Sequence, residues 1–216
     1  MTNIDKDDRY EFMQLTKNKT PQVISNILTW IRQQKLSATF ASIIKKQDKE
    51  TASHSKRVAV MAEALAKKIK LSRKEIKKIK QSGRLHDLGK ISIPEEILNK
   101  PGTLTDEEYK YMQKHPNIGR EIIEQFPEFQ KEASLVHHHH EWFNGNGYPS
   151  GISKYDIPLG SRIIAIADAY DAMTSDRVYR KALPKEEALK RIRNGKGSQF
   201  DPIIADAFVQ LIVQRG

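Results

Sequence analysis

Ser72-Arg-Lys-Glu75-Ile-Lys-Lys-Ile-Lys-Gln-Ser-Gly-Arg-Leu-His86-Asp87-Leu-Gly-Lys90 is the stretch on which the fold turns. Its first four residues fit a capping box, in which a serine hydroxyl and a glutamate carboxylate each satisfy a backbone N–H left over at a helix start. A helix opening there is predicted to end near His86, so that an imidazole and a carboxylate follow its last turn side by side. Thr105-Asp-Glu-Glu108 carries the same signature and predicts a helix ending near Gln113. Outward from these two, apolar spacing of three and four recurs, while alternating runs of β-branched or aromatic residues are few. The reading is all-α. A further helix is expected from about Thr51 to Lys70 on Val58, Met61, Leu65 and Ile69. Thr20-Pro21 reads as an N-cap followed by proline, and Pro116, Pro184 and Pro202 are placed to begin others. Asn144-Gly-Asn-Gly-Tyr-Pro-Ser-Gly151 is a long irregular stretch, and no internal repeat is found.

The 216 residues are enough for one domain with a substantial core. Residues 1–47 differ in kind: they lack histidine, begin with a polar segment, and continue as a long amphipathic helix carrying Trp30 and Phe40. We read 1–47 as an N-terminal helical segment for packing, dimerisation or signalling linkage, and 48–216 as the main domain. The chain has no cysteine, which excludes disulfides, thiolate metal sites and a cysteine nucleophile. Any metal must therefore be held by histidines and carboxylates. No run approaches the roughly 18 apolar residues of a membrane span. The start, MTNIDKDDRYEF, also lacks the basic-then-apolar order of a signal peptide, so a cytoplasmic protein with no membrane contact is expected. Lys plus Arg exceed Asp plus Glu by 37 − 27 = 10. That balance favours anionic partners without choosing among them. The Lys-rich helix around 67–80 reads as a solvated face, so a nucleic-acid partner is not expected.

The seven histidines lie at 54, 86, 115 and 137 to 140. Glu50 and His54 are four apart, so on a helix both project from one face. In His86-Asp87 the imidazole and one carboxylate oxygen can grip one ion while the other oxygen reaches a second. Lys90, one turn on, offers a cation to a phosphate oxygen. Four consecutive imidazoles cannot all face one site, so at most two of His137 to His140 are ligands. Asp168, Asp171 and Thr174 recur by threes on the otherwise apolar Arg162–Thr174 helix, where carboxylates are expensive unless paired or metal-bound. A buried ion pair to Arg177 or Arg180 is the plainer reading of that helix. Taken together, a histidine and carboxylate set without cysteine suits two six-coordinate, redox-tolerant ions such as iron or manganese.

These motifs resemble the HD-GYP domains, a branch of the HD-type metal-dependent phosphohydrolases. The resemblance runs from about Asp48 to Pro202. It is carried by His54-Ser-Lys-Arg-Val58, His86-Asp-Leu-Gly-Lys90-Ile-Ser-Ile-Pro94, Lys100-Pro-Gly-Thr-Leu104, His115-Pro-Asn-Ile-Gly119, His139-His-Glu141, Gly147-Tyr-Pro149, Ile157-Pro158, Asp168-Ala-Tyr-Asp171-Ala-Met-Thr-Ser-Asp-Arg-Val-Tyr-Arg180 and Gln199-Phe-Asp-Pro202. It implies a compact helical bundle with a metal centre between helices. The activity it implies is hydrolysis of cyclic di-GMP to pGpG and often GMP. The implied ligands are His54, His86, Asp87, His115, His139, His140 and Asp168, with Asp87 bridging two ions, and Glu50 adding a third metal as in the trinuclear members. His137 and His138 are then extras. Asp87 and Lys90 carry the catalytic role. Lys90, Arg177 and Arg180 are expected on phosphate, Asp171 and Thr174 on the substrate side, and Tyr148 in the Gly147-Tyr148-Pro149 loop, which has the freedom to act as a lid or docking surface. Asn144 stands where the family usually has Asp. Family members commonly follow a receiver or sensory domain, so the chain is expected to be either a stand-alone form or a piece of something longer. The alternatives are a phosphodiesterase for another cyclic dinucleotide such as cyclic GMP-AMP, and a weakly active signalling module that binds the nucleotide or docks a diguanylate cyclase on that loop. A homodimer is a further expectation.

Overall fold

The computed structural model describes residues 21–47, 49–176 and 181–214, and within them it is helical with no strand. Helix α1 spans Pro21–Gln47, α2 Lys49–Lys68, α3 Arg73–Leu85, α4 Glu95–Leu98, α5 Asp106–Met112, α6 His115–Glu124, α7 Gln130–His137, α8 Leu159–Thr174, α9 Lys185–Asn194 and α10 Pro202–Gln214. Short 3-10 turns lie at Leu88–Ser92, Pro127–Phe129 and Lys154–Asp156.

The two capping boxes form as the sequence requires. Ser72 Oγ accepts the Glu75 N–H and Thr105 Oγ1 accepts the Glu108 N–H, while each glutamate carboxylate accepts the cap residue's own N–H. These local pairs fix where α3 and α5 begin, and hence where α3 ends, immediately before His86.

The chain divides into two units, 1–36 and 37–216. In the first, the described part is the opening portion of α1, where Leu28 is exposed. The second already begins at Ser37, ahead of the expected start at 48. Phe40 is buried edge-on against Phe126, with Phe129 beside it, and the Gln81 amide donates to Ser37 Oγ.

Helix α8 is the axis of the larger unit. It packs on α2, α3, α7, α9 and α10, and Ile163, Ile164, Ile166 and Ala167 are fully buried. A helix apolar nearly all round belongs inside a protein. Each such isoleucine contributes about 2 kcal/mol on burial, which helps to offset the cost of turning Asp168 and Asp171 into the same interior. Val58, Leu65, Ile79, Leu135, Phe208 and Ile212 complete the core around it.

Candidate metal centre

Five segments bring histidine and aspartate together: α2 supplies His54, the end of α3 His86 and Asp87, α6 His115, the end of α7 His139 and His140, and α8 Asp168. Two groups result, His54 with His86 and Asp87, and Asp87 with His115, His139 and His140. Within each group the ligand atoms lie within 4.8 Å of one another, a little more than twice a metal–nitrogen bond of about 2.1 Å. Asp87 belongs to both. Its Oδ2 stands 3.4 Å from His86 Nε2 and 3.8 Å from His54 Nε2, while its Oδ1 stands 3.4 Å from His115 Nε2. One carboxylate therefore turns one oxygen to each group. Asp168 Oδ1 closes the first group at 3.0 Å from His54 Nε2 and 4.0 Å from His86 Nε2.

Glycine makes this convergence possible. A Cβ on Gly89 would meet the His115 carbonyl oxygen at 2.0 Å and the Gly119 nitrogen at 2.6 Å. The turn after Asp87 thus lies backbone against backbone on α6, and that contact sets the reach from Asp87 to His115.

The chain prepares its imidazoles for ligation. His86 Nδ1 donates to the Gly83 carbonyl at 2.9 Å, His115 Nδ1 to Met112 at 2.8 Å and His139 Nδ1 to Val136 at 2.5 Å. A carbonyl only accepts, so the proton sits on Nδ1 and the Nε2 lone pair points inward. His86 Nε2 is buried with no hydrogen-bond partner, and the Nε2 atoms of His115 and His139 face each other at 3.2 Å. Lone pairs held this close in a buried site are what a cation between them would satisfy. Burial, reinforced by neighbouring imidazoles, lowers His115 to about 3 and His139 well below the ordinary value, and burial lowers His140 to about 4. All three are neutral, the ligating form, at neutral pH. The residues present therefore fit divalent ions.

His54 has the opposite character. Burial opposes its charge, but hydrogen bonds to Asp168 and Asp171 prevail and raise it to about 9. Asp87 and Asp168, although their burial resists it, stay ionised well below the usual carboxylate range, held there chiefly by His86 and Lys90 and by His54 respectively.

Asp171 pairs with two residues of α2. Its Oδ2 accepts His54 Nδ1–H at 2.7 Å, and the Arg57 guanidinium grips both oxygens at 2.7 and 2.8 Å. It orients His54 from behind. Its ion-pair partner is Arg57, whereas Arg177 and Arg180 lie outside the described residues. Thr174 turns its hydroxyl back onto the Tyr170 carbonyl at 2.8 Å, a contact within its own helix. Arg57 escaped the sequence reading of the site, although its place three residues after His54 puts it on the same helical face.

Glu50 is exposed one turn before His54 and belongs to neither group. Lys90 Nζ lies 2.8 Å from Asp87 Oδ2. His138 donates to the Ser134 carbonyl, and buried His137 reaches Ser150 Oγ at 3.2 Å, so both stand apart from the ligand groups.

The loop after His140 is held by backbone contacts. Tyr148 N–H donates to the His140 carbonyl at 3.1 Å and Ser150 N–H to Glu141 Oε1 at 2.6 Å. A Cβ on Gly147 would meet the Trp142 nitrogen at 2.2 Å. The Tyr148 ring consequently stacks on His140, with centroids 4.8 Å apart and planes at 27°. Burial pushes its phenol well above the ordinary value, so it stays protonated. Asn144 is exposed in this loop, where its Oδ1 accepts the Asn146 N–H at 3.0 Å, a task an aspartate oxygen would perform equally.

The family model for the HD domain matches residues 38–204. A cyclic di-GMP phosphodiesterase of Thermotoga maritima is 38% identical over 167 residues, covering 76% of this chain and 45% of that protein. A 3'3'-cGAMP-specific phosphodiesterase of Vibrio cholerae is 34% identical over 189 residues, covering 86% and 36%. Among solved structures, an HDG"Y"P protein from Bdellovibrio bacteriovorus superposes with a TM-score of 0.64 at 17% identity, over 98% of this chain and 79% of that one, a likeness of fold. The chain spans less than half the length of the curated relatives named here. No helix among the described residues is long and apolar enough to cross a membrane.

Proposed function

The chain belongs to the HD domain family, in its HD-GYP branch, and from that premise we propose that it is a metal-dependent phosphodiesterase hydrolysing cyclic di-GMP to pGpG, GMP or both in bacterial second-messenger signalling. The observation that carries the reading is Asp87, one carboxylate with an oxygen turned to each of two histidine groups. The ligands would be His54, His86, Asp87 and Asp168 for one ion and Asp87, His115, His139 and His140 for the other, with iron or manganese suited to a nitrogen and oxygen set of this kind. A third ion would use Glu50. When bound, such ions supply Lewis acidity to the phosphoryl oxygens and lower the pKa of an attacking water.

The chain's own groups do the rest. Lys90, held on Asp87, would hydrogen-bond a non-bridging phosphate oxygen, and Arg177 and Arg180 would bind the second phosphate. Asp171 and Arg57 keep His54 in one orientation, and the Tyr148 ring covers His140 from water.

A second reading, 3'3'-cGAMP as substrate, is favoured by the relatives specific for it. A protein partner such as a diguanylate cyclase at residues 147–149, flanked by exposed Trp142, a homodimer and a cytoplasmic location complete the proposal.

The test is turnover of both cyclic dinucleotides by protein reconstituted anaerobically with Fe(II) or Mn(II), with bound metal quantified on the same sample and Asp87→Ala as control. Metal-dependent cleavage lost in the variant is the expected result. Two ions bound per chain with neither dinucleotide cleaved would overturn the reading.

A further inference from the structure

No side chain of helix α5 is fully buried. Polar contacts fix its first turn. Glu108 accepts the Thr105 N–H at 2.7 Å and pairs with Lys100 Nζ at 2.6 Å. The next residue, Tyr109, is 49% exposed and meets the Tyr148 ring edge to face, with centroids 6.5 Å apart and planes at 79°. Tyr148 in turn stacks on His140. Three rings therefore lead outward from the metal centre, and the last is the most exposed.

A half-exposed aromatic ring, on a helix with no fully buried side chain, stabilises little of the fold. Its position is what sets it apart. Two ring spacings, 4.8 and 6.5 Å, lead from His140 to Tyr109, so the exposed ring lies within the span of a cyclic dinucleotide of that imidazole.

We infer that Tyr109 is a stacking platform for one purine base of the substrate, holding that base at the mouth of the site while its phosphodiester lies at the metal centre. The inference rests on the phosphodiesterase reading above. Because every base presents a π-face, such a platform adds affinity without discriminating between guanine and adenine. It therefore serves cyclic di-GMP and 3'3'-cGAMP alike, and base identity is set elsewhere.

The experiment compares wild type, Tyr109→Ala and Tyr109→Trp, each loaded with Mn(II), on both cyclic dinucleotides. Tyr109→Ala is expected to raise KM about tenfold for both, within what stacking one base on one ring is worth. Its kcat stays within about twofold and its bound metal is unchanged, and Tyr109→Trp recovers the wild-type KM. A cyclic dinucleotide carrying 2-aminopurine gives an independent readout: its fluorescence is quenched at saturating wild-type protein and not at saturating Tyr109→Ala. An unchanged KM, equal quenching in both proteins, or a loss confined to one dinucleotide overturns the platform while leaving the phosphodiesterase standing. If wild type with full metal cleaves neither dinucleotide, the function falls first and the platform with it.

Discussion

The two halves of the metal centre share Asp87 and are otherwise built on opposite electrostatics. Around His54 stand Asp87, Asp168 and Asp171, and the imidazole is raised to about 9. Around His115 and His140 other imidazoles crowd in, Asp87 and, for His140, Asp168 act without prevailing, and burial lowers them to about 3 and about 4. The same side chain is thus a proton holder at His54 and a bare lone pair at His115 and His140. What differs is how many carboxylates escort it into the interior. The halves should accordingly hold their ions unequally, the carboxylate-rich half suiting a harder cation than the nitrogen-rich half.

Removing the shared group is the severest test of this division. Asp87→Ala should reduce turnover on the order of 10³-fold or more, the scale of losing one buried electrostatic stabiliser, and both ions should leave together in metal analysis. Retention of one full ion would mean that the halves are not joined through Asp87.

Asp171→Asn bears on one half alone. It keeps the shape behind His54 but not the charge, and metal affinity should fall about 10- to 100-fold for the carboxylate-rich half. Calorimetric titration should show the other half unmoved.

The two halves should also part company with pH. Below about 9, an ion entering beside His54 must displace its proton, so affinity there should climb about tenfold per pH unit as pH rises towards 9. Between pH 5 and 8 the nitrogen-rich half should be nearly flat in this respect, because His115 and His140 are already neutral. For the metal-free fold the signs oppose. The raised His54 adds stability that is full below the ordinary value of 6.5 and is lost as pH rises through about 9. Buried neutral His115 and His140 cost stability as pH falls below 6.5, where the unfolded chain takes up their protons. Unfolding midpoints followed from pH 4 to 10 should therefore peak between these limits.

The smallest expected effect belongs to His137→Ala, which touches neither half. Turnover should change by no more than a few-fold, with a stability loss of about 1 kcal/mol for the contact to Ser150, read from denaturant unfolding.

The parts of this centre legible in the sequence are those fixed by local geometry. The capping boxes at Ser72 and Thr105 involve residues three apart, so α3 and α5 begin where the pattern places them. Geometry also allowed at most two of the four consecutive histidines to face one site, the resemblance named His139 and His140, and these two join the ligand group while His137 and His138 do not. Pairings across the fold were not legible. Asp171 reads as a carboxylate on an apolar helix whatever its partner, and only the packing of α2 on α8 delivers His54 and Arg57 to it. The turn of the Thr174 hydroxyl onto the Tyr170 carbonyl was likewise not legible, because spacing says nothing of where a hydroxyl turns. The loop at 147–149 looked free because glycines suggest freedom, whereas Gly147 is there to let two backbones touch. The early start of the larger unit at Ser37 depends on Phe126 and Phe129, far along the chain.

The contact at Gly89 has a consequence for anyone who would transplant this centre. Copying the seven proposed ligands onto another helical bundle would reproduce their chemistry but not their gauge, because the reach from Asp87 to His115 is machined by a peptide-on-peptide contact. A graft would have to carry Gly89 and the facing turn of α6 as a single part. Even one methyl group at that position would be a shim, pushing His115 away from Asp87 and parting the two ligand groups.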